Sequence, residues 1–336
     1  MSLITPRRNF LALIGAAALT AGCGTASGSA GGNGRTVSYQ GWAGTVTPAE
    51  LAQDLGHLDG LELDWVGNTI SGPQDIQSAA AGDVTFGGAF NGAVVKLAAA
   101  RAPVTSVISY YGVDKRQFSG YYVLEDGPIR SARDLTGAKV GMNTLGAHAE
   151  AMLDIYLKKQ GVSQDGVERL ALPPVNTEQA LRQGQIDVAV LGGILRDKAL
   201  ERGGIRPLFD DYKLLGAFSA GTYVIADRWL ERNPDTAKEF VTGVAKALVW
   251  SRETSREEVV DRMTGIVRKR DRDEDTDPLK YWHSYGVATP DGRIEAKELQ
   301  LWIDWLGDRG DVDPRRIRAA DLYTNEFNGL VTKNGG

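Results

Sequence analysis

Four short segments hold the residue types best suited to gripping a small molecule: Asn68-Thr69-Ile70-Ser71-Gly72, Gly87-Gly88-Ala89-Phe90-Asn91, Asn143-Thr144-Leu145-Gly146 and Gly192-Gly193. All are small, hydroxylated or amide-bearing, and each precedes a stretch with helical character. A helix N-terminus exposes unpaired N–H groups and the positive end of the dipole, and Gly, Ser and Thr let a ligand approach the backbone. The chemistry they predict is oriented hydrogen bonding to a polar or anionic ligand. The same residues also serve as ordinary caps and turns. One such loop therefore says little, whereas four of them at strand ends point to a shared cleft.

Bond-breaking machinery has no comparable signature. His57, His148 and His283 are too far apart for a HExxH motif, and the single cysteine, Cys23, excludes an intramolecular disulfide and a Cys-rich zinc site. No Gly-x-Ser-x-Gly elbow, P-loop or Cys/His nucleophile pattern occurs. The sequence thus predicts no catalytic residue, no metal and no cofactor.

The elements that must position these loops alternate between short apolar strands and amphipathic helices, the pattern of α/β folding. A first round runs from a strand at 36–40 through helix 48–55, strand 61–66, helix 72–81, strand 84–87 and helix 91–100 to a strand at 104–110. The second round has strands at 121–124, 139–142, 167–171, 188–191 and 222–226, with helices at 147–160, 177–183 and 195–201. From Asn233 onward only helices are expected, at 234–252, 255–268, 278–285 and 295–309. Leu299, Trp302, Ile303 and Trp305 of the last one read as core. The mixed-sign run Arg268–Asp275 reads as a solvated loop. Open α/β sheets bind ligands beyond the carboxyl ends of their strands, which is where the four loops fall.

The chain has 336 residues, with 43 acidic against 38 basic ones and a net charge of −5, which argues against a nucleic-acid surface. Its N-terminus reads as an address. Arg7 and Arg8 precede an apolar run from Leu11 to Ala21, long enough for a signal-peptide core and too short to span a membrane. Arg7-Arg8-Asn9-Phe10-Leu11 resembles a twin-arginine export motif. Leu19-Thr20-Ala21-Gly22-Cys23 resembles a bacterial lipobox, with Cys23 as the lipidation position. Residues 1–22 are then the leader, and the Gly/Ser/Ala-rich 23–34 a flexible tether.

Three segments resemble a known family. Asp134-Leu135-Thr136-Gly137-Ala138-Lys139-Val140-Gly141 is similar to the start of the second lobe in periplasmic binding proteins. Glu178–Ala189, with Ala180-Leu181, Gly184 and Ile186-Asp187 in place, is similar to their strand entry, and Ala79–Thr85 repeats that pattern more weakly. The turn Leu230-Glu231-Arg232-Asn233-Pro234 before a long helix is also typical. Together they resemble the nitrate/sulfonate/taurine-type substrate-binding proteins of ABC importers, a family that also includes thiamine-precursor-like members.

The resemblance implies a type II periplasmic binding protein, with two α/β lobes, a ligand cleft and a helical C-terminal tail. Residues 35–112 and 225–336 would form lobe 1 and residues 113–224 lobe 2, with hinges near 109–116 and 217–225. It also implies ligand contacts at Gln40, Gly41 and Trp42; Thr69 and Ser71; Gly88, Phe90 and Asn91; Thr144, Leu145 and Gly146; and at Asn176 and Gly193. Thr144 with the Leu145 and Gly146 amides would clamp an oxyanion, and Trp42 and Phe90 would wall the organic part. Tyr110 and Tyr111 at the first hinge either line the cleft or pack in the core.

The expected protein is a monomeric lipoprotein on the outer face of the cytoplasmic membrane. It would deliver a small anionic organic solute to an ABC permease and its ATPase, with no nucleic acid involved. The alternatives are an aromatic solute such as a thiamine precursor, or presentation of ligand to a membrane sensor. An enzyme of the same fold, a pyrimidine-precursor synthase with a Cys-rich motif, is disfavoured by the lone cysteine.

Overall fold

The computed structural model describes residues 35–69 and 71–331. The leader, the tether and Cys23 lie outside the described residues. Ten strands are present among them: β1 (Thr36–Gly41), β2 (Glu62–Asn68), β3 (Phe86–Phe90), β4 (Val104–Val113), β5 (Ser119–Leu124), β6 (Lys139–Met142), β7 (Glu168–Ala171), β8 (Val188–Gly192), β9 (Ile205–Asp210) and β10 (Phe218–Ala226). The helices are α1 (Pro48–Asp54), α2 (Gly72–Ala81), α3 (Asn91–Ala99), α4 (His148–Gln160), α5 (Pro174–Arg182), α6 (Gly193–Glu201), α7 (Asp211–Leu215), α8 (Asp227–Arg232), α9 (Pro234–Glu253), α10 (Arg256–Lys269) and α11 (Ala296–Asp308).

Two bodies result. In one, β1 and β2 pair in parallel, and β10 lies between β3 and β4, antiparallel to both. β10 is buried along its whole length, which is why Phe218–Ala226 is nearly all small or apolar. The other body is a five-stranded sheet in the order β7-β6-β8-β5-β9. The chain leaves the first body from β4, enters β5 through residues 114–118, and returns through α7 into β10. This is the mixed α/β, two-lobed binding-protein architecture that the sequence predicts, with α8 to α11 as its helical tail.

Local chemistry explains the elements. Thr47 and Glu50 form a reciprocal capping box at α1, with Pro48 just inside, and Ser71 caps α2 through Gln74 N. Gly82 and Gly161 close α2 and α4 in left-handed geometry. All four loops singled out above do lead into helices: α2, α3, α4 and α6.

The first core gathers Val37 and Tyr39 of β1, Leu51 of α1, Ile108 of β4, Tyr223 of β10 and Phe240, Val241 and Val244 of α9. The second gathers Tyr121, Val140, Met142, Met152 and Leu153 around Trp302, Ile303 and Leu306 of α11. α11 and the residues after it tie the bodies together: Trp302 meets Phe90 edge-on at 5.4 Å, Trp305 Nε1 donates to Asp154 Oδ2 of α4 at 3.0 Å, and Lys96 of α3 pairs with Asp311, just past the helix, at 3.2 Å.

Besides the unexpected short helices α7 and α8, three features differ from the sequence expectation. β9 was not anticipated, because Pro207 lies within it; proline is tolerated there since β9 is an edge strand. Residues 278–285 are not a helix but a 3-10 turn, Asp277–Tyr281, followed by extended chain. The charged run is not solvated throughout: the side chains of Arg270 and Glu274 are only 7% and 4% exposed.

Candidate functional site

Where the two bodies meet, two cavities adjoin. The first, about 320 Å³, is walled on one side by Trp42 and residues 44–48 and by a second segment, residues 278–285. Gly193 and Ile194 at the start of α6 face them from the other body, and Tyr110, Tyr111, Gly112 and Gln117 close the back. The second cavity, about 300 Å³, shares Tyr111, Gly112 and Gln117 with the first and runs into the five-stranded body. There it reaches Phe118, Ser119, Asn143, His148, Gly192 and Asp211. The cavities form one cleft, apolar and aromatic at one end and polar at the other, a common design for small-ligand sites.

Each wall has a local cause. The Trp42 turn is tied by Thr45, whose N–H and Oγ1 both donate to Trp42 O at 3.3 and 3.1 Å. The loop then runs into the α1 cap, where Thr47 N–H and Oγ1 donate to Glu50 Oε2 at 2.9 and 3.0 Å. The Tyr110 ring stacks on Tyr223 at 4.3 Å and meets Tyr111 edge-on at 4.9 Å. Tyr285 donates its hydroxyl to Val46 O at 3.0 Å and meets Trp282 edge-on at 5.6 Å. Gly112 N donates to Tyr285 O at 2.9 Å, and a Cβ on Gly112 would stand 2.4 Å from Phe218 O. Only glycine lets β4, β10 and the 285 segment approach so closely.

The electrostatics are sparse. No lysine or arginine is among the described residues lining either cavity. Burial raises the Tyr110 and Tyr111 phenols, so both stay neutral and present hydroxyls. Asp211 is wholly buried; its Oδ1 accepts Ser119 N–H at 3.0 Å and its Oδ2 meets His148 Nε2 at 2.9 Å. His148 also stacks on Phe218 at 5.8 Å. A strong anion in this cleft would meet neutral donors, His148 and a buried carboxylate.

The residues expected at the site fall into three groups. Trp42 and Gly193 line the first cavity. Gln40, Gly41, Thr69, Ser71 and Gly88 line neither cavity. Gly88 seats Tyr110, since a Cβ there would lie 2.8 Å from the phenol ring. Gly41 packs beneath the Trp65 indole, where a Cβ would lie 3.2 Å away, and Gln40 follows a register shift in β1 with a buried, unpartnered Oε1. Thr69 N donates to Gly41 O at 2.9 Å and its hydroxyl to Ser71 O at 3.0 Å.

The remaining residues are engaged elsewhere or stand outside both cavities. Asn91 is fully buried with Nδ2 donating to Ser219 O at 3.3 Å, and Phe90 packs on Trp302. Thr144, Leu145 and Asn176 are exposed. Gly146 N donates to Glu150 Oε2 at 2.5 Å, so a carboxylate of the same chain already occupies that amide. Although burial pushes Glu150 up, the Gly146 N–H and the Arg309 and Arg169 guanidiniums outweigh it and hold the carboxyl below its usual value.

Sequence reasoning missed Gln117, Ile194 and the aromatic segment Tyr281-Trp282-His283-Ser284-Tyr285. Its one signal was the density of rings straight after Pro278, which a helical reading conceals.

Behind Tyr110, Asp75 is 3% exposed, with Oδ2 accepting Gly88 N–H at 2.6 Å and Oδ1 unpartnered. Burial pushes its carboxyl up to about 7, against the lowering effect of the Gly88 bond. A carboxyl raised on folding stabilises fully below its unfolded value of about 4, and that contribution is lost as pH rises through the folded value. Asp75→Asn keeps an acceptor for Gly88 and removes the charge. It should therefore stabilise the protein more at pH 8 than at pH 5, by about 2 kcal/mol in urea titrations; an equal effect at both values would contradict it.

Comparison with known proteins agrees with this geometry. A family model described as NMT1/THI5 like matches residues 46–257. A Brucella abortus (strain 2308) protein, named as a candidate binding protein, is 25% identical over 213 residues, which cover 61% of this chain and 62% of the relative's length. The periplasmic aliphatic sulphonate binding protein SsuA of Escherichia coli superposes with a TM-score of 0.70 at 19% identity, over 90% of this chain and 97% of SsuA. The periplasmic nitrate-binding protein NrtA of Synechocystis PCC 6803 superposes with a TM-score of 0.64 at 12% identity, over 87% of each chain. At these identities the solved structures establish the periplasmic binding-protein fold.

Proposed function

The chain belongs to the NMT1/THI5-like family, and from that premise we propose that it is the solute-binding component of an ABC importer, exported and tethered outside the cytoplasmic membrane through Cys23. It captures its solute as a monomer between lobe 1 (35–112 and 225–336) and lobe 2 (113–224). Bending near 109–116 and 217–225 closes the cleft, and the loaded form docks on a permease driven by its ATPase. The solute is bound and released without being transformed.

The ligand class this reading favours is a flat organic solute of low negative charge. The observation that carries it is the cleft itself: aromatic walls from the first body, faced by Gly193 and Ile194 of the other, with no lysine or arginine in its described lining. Stacking and edge contacts to Trp42, Tyr110 and Tyr285 supply affinity, and Gln117, Ser119 and Asn143 at the polar end orient the ring.

A sulfonate is the second reading, favoured by the likeness to SsuA. Its charge would be held by neutral donors near Thr144 and Leu145, with its organic part among the rings. A thermal-shift and calorimetric screen of the mature chain against taurine, nitrate, benzenesulfonate and 4-amino-2-methylpyrimidine separates the two. A binder at a hundred times its Kd adds about 2.7 kcal/mol of stability. The favoured reading expects this for the pyrimidine. Binding of taurine or nitrate in preference to both ring compounds would overturn it.

A further inference from the structure

The charged segment after α10 packs against the cavity wall. The Arg270 side chain, 7% exposed, donates from one guanidinium nitrogen to Glu50 Oε1 at 2.9 Å and from another to Thr45 O at 2.5 Å. Glu50 is the carboxylate that already receives Thr47 N–H and Oγ1, and Tyr39 donates its hydroxyl to the same Oε1 at 2.7 Å. One arginine thus fastens both Thr45 and, through Glu50, Thr47 of the loop that forms a whole side of the first cavity.

The following residues pack around this contact. Arg272 lies 3.8 Å from the centre of the Trp65 ring, the indole that packs on Gly41, and Glu274 pairs with Arg270 at 3.4 Å. A Cβ on Gly44 would come within 3.2 Å of Asp275 O. Between these anchors Asp271 and Asp273 hold left-handed backbone, φ 52° and 51°. Non-glycine residues adopt that geometry at a cost and keep it only where the surroundings over-determine it. Arg270 serves the loop directly, Arg272 covers the Trp65 indole of β2 and Glu274 pairs with Arg270, while the two aspartates carry the turns, so the run is a strap lying over the loop and the strand beside it.

We propose that Arg270 is a positioning residue for solute capture: it fixes the Trp42–Pro48 wall in its binding geometry without touching the solute, and 270–275 is the strap that holds it there. This rests on the reading of the cleft as the solute site. Only a planar fork can reach Thr45 O and Glu50 together; a lysine ammonium is a point charge that serves one acceptor well.

The test compares the mature wild type with Arg270→Met and Arg270→Lys by hydrogen–deuterium exchange, with calorimetry against 4-amino-2-methylpyrimidine and benzenesulfonate. In Arg270→Met, the peptide covering residues 42–51 should exchange at least about tenfold faster, while peptides of α4 and α9 stay at wild-type rates. Arg270→Lys should fall between the two, and affinity for whichever compound the wild type binds should drop about tenfold in the methionine variant. Unchanged exchange at 42–51, or a rise shared equally with α4 and α9, overturns the proposal. Should Arg270→Met fail to fold, wild-type exchange at 42–51 in Arg270→Lys overturns it as well. A local rise with neither compound bound by the wild type supports the strap and removes the solute reading instead.

Discussion

Trp42→Ala should weaken binding of a flat solute such as 4-amino-2-methylpyrimidine about a hundredfold, or ~2.7 kcal/mol, measured by calorimetry on the mature chain. The size follows from position. Trp42 is the indole of the first cavity's loop wall, facing Gly193 and Ile194 of the opposite body. Aromatic anchors of this kind contribute 2 kcal/mol or more where they are desolvated on binding. The truncation leaves the wall standing, because Thr45 bonds the backbone oxygen of Trp42 and not its side chain. Thr144→Val is the matching control: Thr144 is exposed and lines neither cavity, so its effect should stay within about twofold, ~0.4 kcal/mol. The opposite ranking, with Thr144 decisive and Trp42 neutral, would shift the site to the α4 N-terminus and favour the sulfonate reading.

The largest stability effect is expected at Asp154. This carboxylate of α4 is 1% exposed and pairs with Arg169 at 2.5 Å, accepts from Trp305 Nε1 at 3.0 Å and lies 3.4 Å from Arg309. Removing one member of a buried ionic network leaves its partners desolvated and uncompensated. Asp154→Ala should therefore cost about 3–5 kcal/mol in urea unfolding. Asp154→Asn retains an acceptor for the indole and should cost less. A loss under about 1 kcal/mol for the alanine variant would mean the cluster is far better hydrated than its burial indicates. Because Trp305 belongs to the tail helix α11 and Arg309 is its C-cap, this network also fastens the C-terminal tail to the five-stranded body.

Most of the fold was legible because strands and helices here follow their periodicities closely. Val104–Tyr110 and Thr222–Ala226 read as strands from β-branched and aromatic runs, although pairing extends them to Val113 and back to Phe218. β9 was hidden by Pro207, whose acceptability depends on an edge position that no local pattern encodes. The site was less legible, for a related reason. Ser71, Asn91 and Gly146 have the composition of ligand loops, yet Ser71 caps α2, Asn91 is buried against β10, and Gly146 is satisfied by Glu150. Cap chemistry and ligand chemistry use the same atoms, and only burial and partners separate them. Conversely, Tyr281, Trp282 and Tyr285 reach the cavity from far along the chain, on a 3-10 turn and the non-helical segment that follows it. Arg270 and Glu274 look solvated in a mixed-charge run, but Arg270 reaches inward to a partner more than 200 residues away, Glu50, and Glu274 folds in to pair with Arg270.

A crystal structure of the mature chain grown with 4-amino-2-methylpyrimidine tests the central claim most directly. Density for the ring should lie between Trp42, Tyr110 and Tyr285 on one side and Gly193 on the other, with its polar atoms toward Gln117. Density only outside the cleft, for instance in the groove bordered by Arg101 and Arg316, or an empty cleft with the compound bound at the Thr144 loop, would contradict it.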